Sequence, residues 1–264
     1  MIFRLNPNSA IASTALLIGG LALAGTAQAD GTLNASAKMS FESNVNGSPD
    51  TPTTANQLSD SYRVLSASGV YFTPLDAEKT SYFIGQVGAN SSTYSKYSSL
   101  DNSSLMASAG LYQQLSSTWS GTMTGRGFTR TTRQDARNSN GGGVTLEIKN
   151  QLGESVWVKG IADYEKSMAN LESYSNTGRT YGVNLGYMPV KNTFLNLGYS
   201  HAMRNFKTDT PFDTTTQTLF ADVTLQLAKN WYLYGGYARQ KNDSNVAGTA
   251  YTNNIASLGL SFSY

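Results

Sequence analysis

Beyond residue 30 the chain alternates. Leu33, Ala35, Ala37, Met39 and Phe41 are separated by Asn34, Ser36, Lys38 and Ser40, the period of two that gives a strand one apolar face. The same pattern runs through Leu105 to Leu111, Val144 to Ile148, Tyr181 to Tyr187, Leu219 to Leu227 and Leu258 to Tyr264. It predicts twelve strands, over 31–45, 59–72, 80–94, 104–115, 119–133, 143–151, 155–168, 179–188, 193–205, 216–227, 231–241 and 252–264. The connections between them alternate. Those at 73–79, 116–118, 153–154, 189–192 and 228–230 are short, whereas 46–58, 95–103, 134–142, 169–178, 206–215 and 242–251 are long and polar. Tight turns at one end and long loops at the other, with an even strand count, describe an all-β, twelve-stranded antiparallel up-and-down transmembrane β-barrel. On this map Pro49, Pro52, Pro74, Pro189 and Pro211 all fall in connections, as expected of a residue that cannot donate to a ladder.

Aromatic residues repeat on a longer period. Tyr82, Trp119, Trp157, Phe194 and Trp231 each follow a short turn, at intervals of 37, 38, 37 and 37 residues. One interval is one hairpin plus its turn, so these rings return to one height on the wall, as an interfacial girdle would. Trp157 and Phe194 have the opposite parity to Val156, Val158, Leu195 and Leu197, so their common height is firmer than an outward direction. A soluble two-sheet sandwich shares the alternation, with its apolar faces packed inside.

The other face separates barrel from sandwich only by what it encloses. It carries Lys38, Glu42, Arg63, Arg126, Arg130, Glu147, Lys149, Lys159, Asp163, Arg204 and Asp222, joined by Arg239 and Lys241 if Tyr232 and Tyr234 face out. In a barrel this set lines the lumen. The excess is basic, which favours anions, although pairs such as Lys159 with Asp163 or Lys149 with Glu147 would stiffen and fill a small barrel. Gly69, Gly110, Gly182, Gly186, Gly198 and Gly259 share the inward parity and leave space, and twelve strands lie between the eight that side chains pack full and the sixteen of wide channels.

Composition narrows the classes. Of 264 residues 14% are charged, Cys is absent and His occurs once, against roughly 25% charged in soluble domains. That excludes a disulfide framework, a cysteine nucleophile and a zinc site of ordinary ligand count. A net charge of +2 is too small for a general nucleic-acid binder. Residues 1–29 hold Arg4, an apolar stretch from Ala10 to Ala24 and Ala27-Gln28-Ala29, the layout of a signal peptide cleaved near Ala29. The mature barrel would then span 30–264.

At the other end Leu258, Leu260, Phe262 and Tyr264 resemble the closing signal of Gram-negative outer-membrane barrels. The resemblance implies periplasmic chaperones and the barrel-assembly machinery as partners, and outer-membrane lipid as surroundings. Phe41-Glu42-Ser43-Asn44-Val45-Asn46 and Lys241-Asn242-Asp243-Ser244-Asn245-Val246, with Tyr251 and Asn254, are similar to segments in barrel domains of surface lipoprotein assembly modifiers, whose helical-repeat domain this chain has no room for.

Little catalytic chemistry is present. A barrel hydrolase needs a histidine base, and His201 shares parity with Leu195, Leu197 and Tyr199 while Ser200 points the other way. Gly141-Gly142-Gly143 lacks the lysine and helix of a phosphate cradle and reads as loop entering strand. Asp209 and Asp213, two acids of a polar loop, could bind calcium but are expected to be solvated. No catalytic residue, metal or cofactor is expected. The leading expectation is a passive channel for small hydrophilic solutes with a preference for anions. The alternatives are an export, surface-assembly or structural barrel without an open pore, and an outer-membrane hydrolase using His201.

Overall fold

A computed structural model describes residues 30–45, 47, 58–207 and 212–264. The proposed signal peptide, most of the loop at 46–58, Asp209, Pro49, Pro52 and Pro211 lie outside the described residues. The strands are β1 Asp30–Glu42, β2 Asp60–Pro74, β3 Ser81–Tyr94, β4 Asn102–Gln114, β5 Trp119–Thr132, β6 Ser139–Gln151, β7 Val156–Ala169, β8 Asn176–Val190, β9 Thr193–Phe206, β10 Phe212–Ala228, β11 Trp231–Ser244 and β12 Tyr251–Ser263. Each pairs antiparallel with its sequence neighbour, and β1 pairs with β12 to close the barrel. Beyond the last β1–β12 pair, Leu33 and Tyr264 exchange both backbone hydrogen bonds at 2.9 Å, so the C-terminal residue completes the seam.

The direction of the apolar face excludes the sandwich. Leu33, Met39, Leu65, Val87, Leu105 and Leu258 are each more than half exposed, and the buried hydrophobic residues are few. Packed sheets would hide these side chains between layers; a membrane barrel presents them to hydrocarbon.

The strands run further into the long loops than alternation alone indicates. Gly141-Gly142-Gly143 belongs to β6, opposite Phe128, Gly127 and Arg126. A Cβ at Gly141 would collide with the Phe128 ring and one at Gly143 with the Tyr164 carbonyl, so these glycines are strand residues selected for close approach. Two prolines also lie within strands. Pro74 is the last residue of β2, and Pro189 sits where the β8 register shifts between Tyr187 and Val190. Both are strand-end sites, where a missing N–H costs no interior ladder bond.

Three long loops share one construction that continues the 37-residue period. Short 3-10 turns at Ser98–Leu100, Asp135–Arg137 and Glu172–Tyr174 are each followed by a side-chain oxygen that accepts from the end of the preceding strand. Asp101 accepts from the Tyr94 N–H at 2.7 Å, Asn138 from Thr132 at 2.7 Å and Ser175 from Ala169 at 2.8 Å.

At the opposite end, the β2–β3 turn is organised by Asp76. Its carboxylate accepts from the Thr80 N–H at 2.8 Å, the Thr80 hydroxyl at 2.5 Å and the Ser81 N–H at 3.2 Å. The Thr80 hydroxyl above all holds its pKa down, from 3.8 to about 2. A depressed carboxylate stabilises the fold above its unfolded pKa, and that contribution fades as pH falls from about 4 toward 2. Asp76→Asn is expected to remove this pH dependence. Thermal unfolding of wild type and variant in detergent, compared at pH 6 and pH 2.5, should differ more at pH 6; a constant difference would contradict it.

Candidate functional site

Period-two geometry places one residue in two inside the barrel, and the outward set is identified by its exposed apolar members. Lys38, Glu42, Arg126, Arg130, Glu147, Lys149, Lys159, Asp163, Arg204 and Asp222 lie on the inward face. Arg63, Arg239 and Lys241 do not: they are exposed and share parity with Leu65 on β2 and with Trp231 and Tyr237 on β11. The reversal on β2 has a local cause. Near the long-loop end, Tyr62 and Val64 point inward and pack with Tyr94 and with Val45 of the β1–β2 loop, the two tyrosine rings stacked at 4.8 Å. Where a loop dries the interior, the apolar residues are the inward ones, and Arg63 and Gly69 turn out.

Two inward acids escaped the sequence reading. Glu165 follows Asp163 at the same parity, so extending the β7 alternation by one step would have found it. Asp60 is buried and accepts from the Ser61, Lys96 and Tyr97 N–H groups. With these included, the described inward face carries Lys38, Arg126, Arg130, Lys149, Lys159 and Arg204 against Glu42, Asp60, Glu147, Asp163, Glu165 and Asp222. The basic excess disappears.

The charges form networks. Arg126 reaches across β6 to β7, donating to Asp163 at 2.5 Å, Glu165 at 2.8 Å and the Thr145 hydroxyl at 2.8 Å, while Thr145 donates to Asp163 at 2.6 Å. Lys159 pairs with Glu147 at 3.2 Å, not with Asp163. Lys149 stands opposite Lys159 and lies over the Trp157 ring at 5.0 Å. Lys38 is within electrostatic reach of Asp222 and Glu42. Arg204, half-buried, is within electrostatic reach of Glu165 and Asp163.

Four inward glycines do not leave open space, whereas the atoms nearest to a Cβ at Gly110 or Gly182 belong to no ring. Phe128 covers Gly141, Trp157 covers Gly186, Phe220 covers Gly198 and Tyr234 covers Gly259, and in each case ring and glycine are direct cross-strand partners. The pairs occur in consecutive hairpins, β5–β6, β7–β8, β9–β10 and β11–β12. Each flat ring fills the place of a missing side chain and lies against the wall.

Of the aromatics after the short turns, Trp119 and Trp231 face outward, each 44% exposed, Trp231 packing on Phe262 at 5.1 Å. Tyr82, Trp157 and Phe194 face inward, Tyr82 meeting Tyr112 edge-on at 6.0 Å. The height holds around the wall; the single outward direction does not, and inside Trp157 covers Gly186 while Tyr82 meets Tyr112. Leu258, Leu260 and Phe262 lie on the outward face of β12 and Tyr264 is exposed beyond it. His201 faces outward between Tyr181 and Gln217, its direct neighbours on β8 and β10. Among the described residues no group of three or more His, Cys, Asp or Glu side chains could hold a metal ion.

No protein-family model matches the chain, and no curated protein matches it. Solved structures do. The COG4313 outer membrane channel from Pseudomonas putida F1 superposes with a TM-score of 0.64 at 14% identity, covering 91% of this chain and 97% of that one. The chain has the closed β-barrel fold of that outer-membrane channel. The NanC porin matches with a TM-score of 0.53 at 9% identity, covering 86% and 98% of the two chains. The KdgM porin, solved in complex with disordered oligogalacturonate, matches with 0.51 at 10% identity, covering 88% and 99%. At such identities the shared property is the barrel.

Proposed function

We propose that the barrel is an outer-membrane channel for passive passage of small hydrophilic solutes. The observation that carries this reading is a charged inner wall that water reaches. Arg126, Asp163, Glu165 and Glu147 keep side-chain exposures of 16%, 19%, 23% and 28%, although their strand parity turns them away from the outside. Unpaired or dry charges at this depth would be costly; wetted pairs are the lining of an aqueous path. Porins and channels among the structural neighbours support the same reading. With cations and carboxylates balanced, selectivity between ions should be weak, in place of the anion preference expected from the sequence.

Purified protein in planar bilayers is expected to give single-channel steps above the lipid background, with a reversal potential near zero in a salt gradient. Absence of steps would refute the channel. That result would favour the second reading, a barrel without an open pore. Its motivating observation is the cluster of Val45, Tyr62, Val64 and Tyr94, which fills part of the interior at the long-loop end. In either case delivery would follow the signal peptide over 1–29, with the assembly machinery reading Leu258, Leu260, Phe262 and Tyr264.

A further inference from the structure

The outward face carries charge at one end only. Among the described outward strand positions, the cations are Arg63, Lys166, Arg179, Arg239 and Lys241, all exposed. Arg63, Lys166, Arg179 and Lys241 each stand three residues in from the long-loop end of their strands, which is the external end in barrels of this class. The carboxylates on that face, Asp213 and Asp243, are at the same end, and only Lys241 is paired, with Asp243 at 3.3 Å. No carboxylate of the described residues pairs with Lys166, Arg179 or Arg239.

These cations are unevenly placed around the barrel. Four of the five lie on β7, β8 and β11, and Arg63 lies on β2, across the β1–β12 seam from β11. Tyr164 is opposite Arg179 and Thr177 opposite Lys166, so Lys166 and Arg179 are diagonal neighbours about 7–8 Å apart. His201 and Gln217, adjacent on β9 and β10, continue the polar strip to Lys241, which faces Gln217. Tyr164, Tyr181, Tyr199 and Tyr237, all exposed, stand two residues nearer the membrane centre than Lys166, Arg179, His201 and Arg239 respectively. A tyrosine with a cation just beyond it marks the boundary between hydrocarbon and headgroups, because the ring has an apolar body and a polar tip and the cation belongs in the polar layer.

We infer that the β7–β11 face binds the phosphate groups of an outer-leaflet lipid headgroup, with Lys166 and Arg179 bracketing one phosphate and Arg239 and Lys241 a second. Charge complementarity selects this occupant. A second barrel docking through the same face would oppose cation to cation, which is unfavourable. Lys and Arg are suited to phosphate oxygens through charge-assisted hydrogen bonds, and the tyrosines set the depth at which such a headgroup lies.

The test is native mass spectrometry of the purified barrel in nonionic detergent, titrated with diphosphorylated lipid A and with the same lipid stripped of both phosphates. Wild type is expected to retain the phosphorylated lipid. Combined Lys166→Gln, Arg179→Gln, Arg239→Gln and Lys241→Gln should weaken retention at least about tenfold, while Lys191→Gln, exposed in the β8–β9 turn at the opposite end of the wall, leaves it unchanged. Equal retention of the stripped lipid, equal retention by the fourfold variant, no lipid adducts, or dimers in place of adducts would each overturn the inference. Should the fourfold variant not fold, as judged by heat-modifiable gel mobility, wild-type retention must still fall as ionic strength rises; insensitivity to salt overturns the inference equally.

Discussion

Arg126→Ala is expected to lower the unfolding midpoint of the barrel and to turn its lumen cation-selective. Among the described residues the guanidinium is the one group that touches Asp163, Glu165 and Thr145 together. Its removal leaves two carboxylates two residues apart on β7, facing the same space. Thr145 still donates to Asp163, whereas Glu165 loses its 2.8 Å partner. The cost should be about 2 kcal/mol, below the roughly 3–5 kcal/mol seen when a fully buried pair loses one partner, because the lumen wets both acids. Loss of one positive charge from a balanced wall, next to a pair of bare carboxylates, raises local cation concentration. Reversal potentials in a salt gradient should move in the cation direction, and single-channel conductance should rise as the side chain is removed. Adding Glu165→Gln to Arg126→Ala should recover part of both the stability and the selectivity. An unchanged denaturation midpoint together with an unchanged reversal potential would show that the network does not hold the wall.

Gly186→Val is expected to be the most damaging addition of a small side chain in the interior. Gly186 is buried, and a Cβ built there would overlap the Trp157 indole. The ring cannot move outward through the ladder, so it must swing into the lumen or force β7 and β8 apart. Overpacking of this kind costs about 1–3 kcal/mol, and a displaced indole also leaves Lys149, now 5.0 Å from its ring, without its cover. Conductance should fall if the protein still folds, since the displaced ring occupies the path. Gly198→Ala under Phe220 should behave similarly in milder form. Gly160→Ala supplies the control, because nothing lies within 4 Å of a Cβ there and stability and conductance should stay near wild type. Rescue of Gly186→Val by Trp157→Leu would tie the effect to the ring; failure of the rescue would place it in the backbone instead.

Much of this architecture is legible in the chain because a barrel wall is a local object. Each strand needs only its own alternation to declare one greasy face, and Leu33 through Phe41 or Leu258 through Tyr264 do so without reference to any partner. Turn lengths alternate for an equally local reason, and the 37-residue spacing of Trp119, Trp157 and Trp231 is one hairpin counted along the chain. Illegible positions are those where the inner face is apolar. Tyr62, Val64, Val70 and Phe72 of β2 look like a membrane face, and they point inward because Val45, arriving from the β1–β2 loop, and Tyr94 pack against the first two. Arg63 then has no choice but to face out, where proximity to the headgroups makes a cation tolerable. On β11, Tyr232 and Tyr234 compete with Leu233 and Tyr237 for the outside, and the deciding fact is that Tyr234 rests on Gly259, a residue of another strand.

By itself, then, the amino-acid order determined that the wall of the described residues is built of strands, how many there are, where they turn and which ends carry the long loops. Tertiary structure alone decided the sign balance of the interior, the partners of Arg126 and Lys159, and the covering of Gly141, Gly186, Gly198 and Gly259 by rings from across the ladder. The physical reason is range. Alternation and turns arise between residues adjacent in the chain, whereas an ion pair or a ring-on-glycine contact depends on register, and in a twisted, tilted wall register is settled only when all twelve strands have closed.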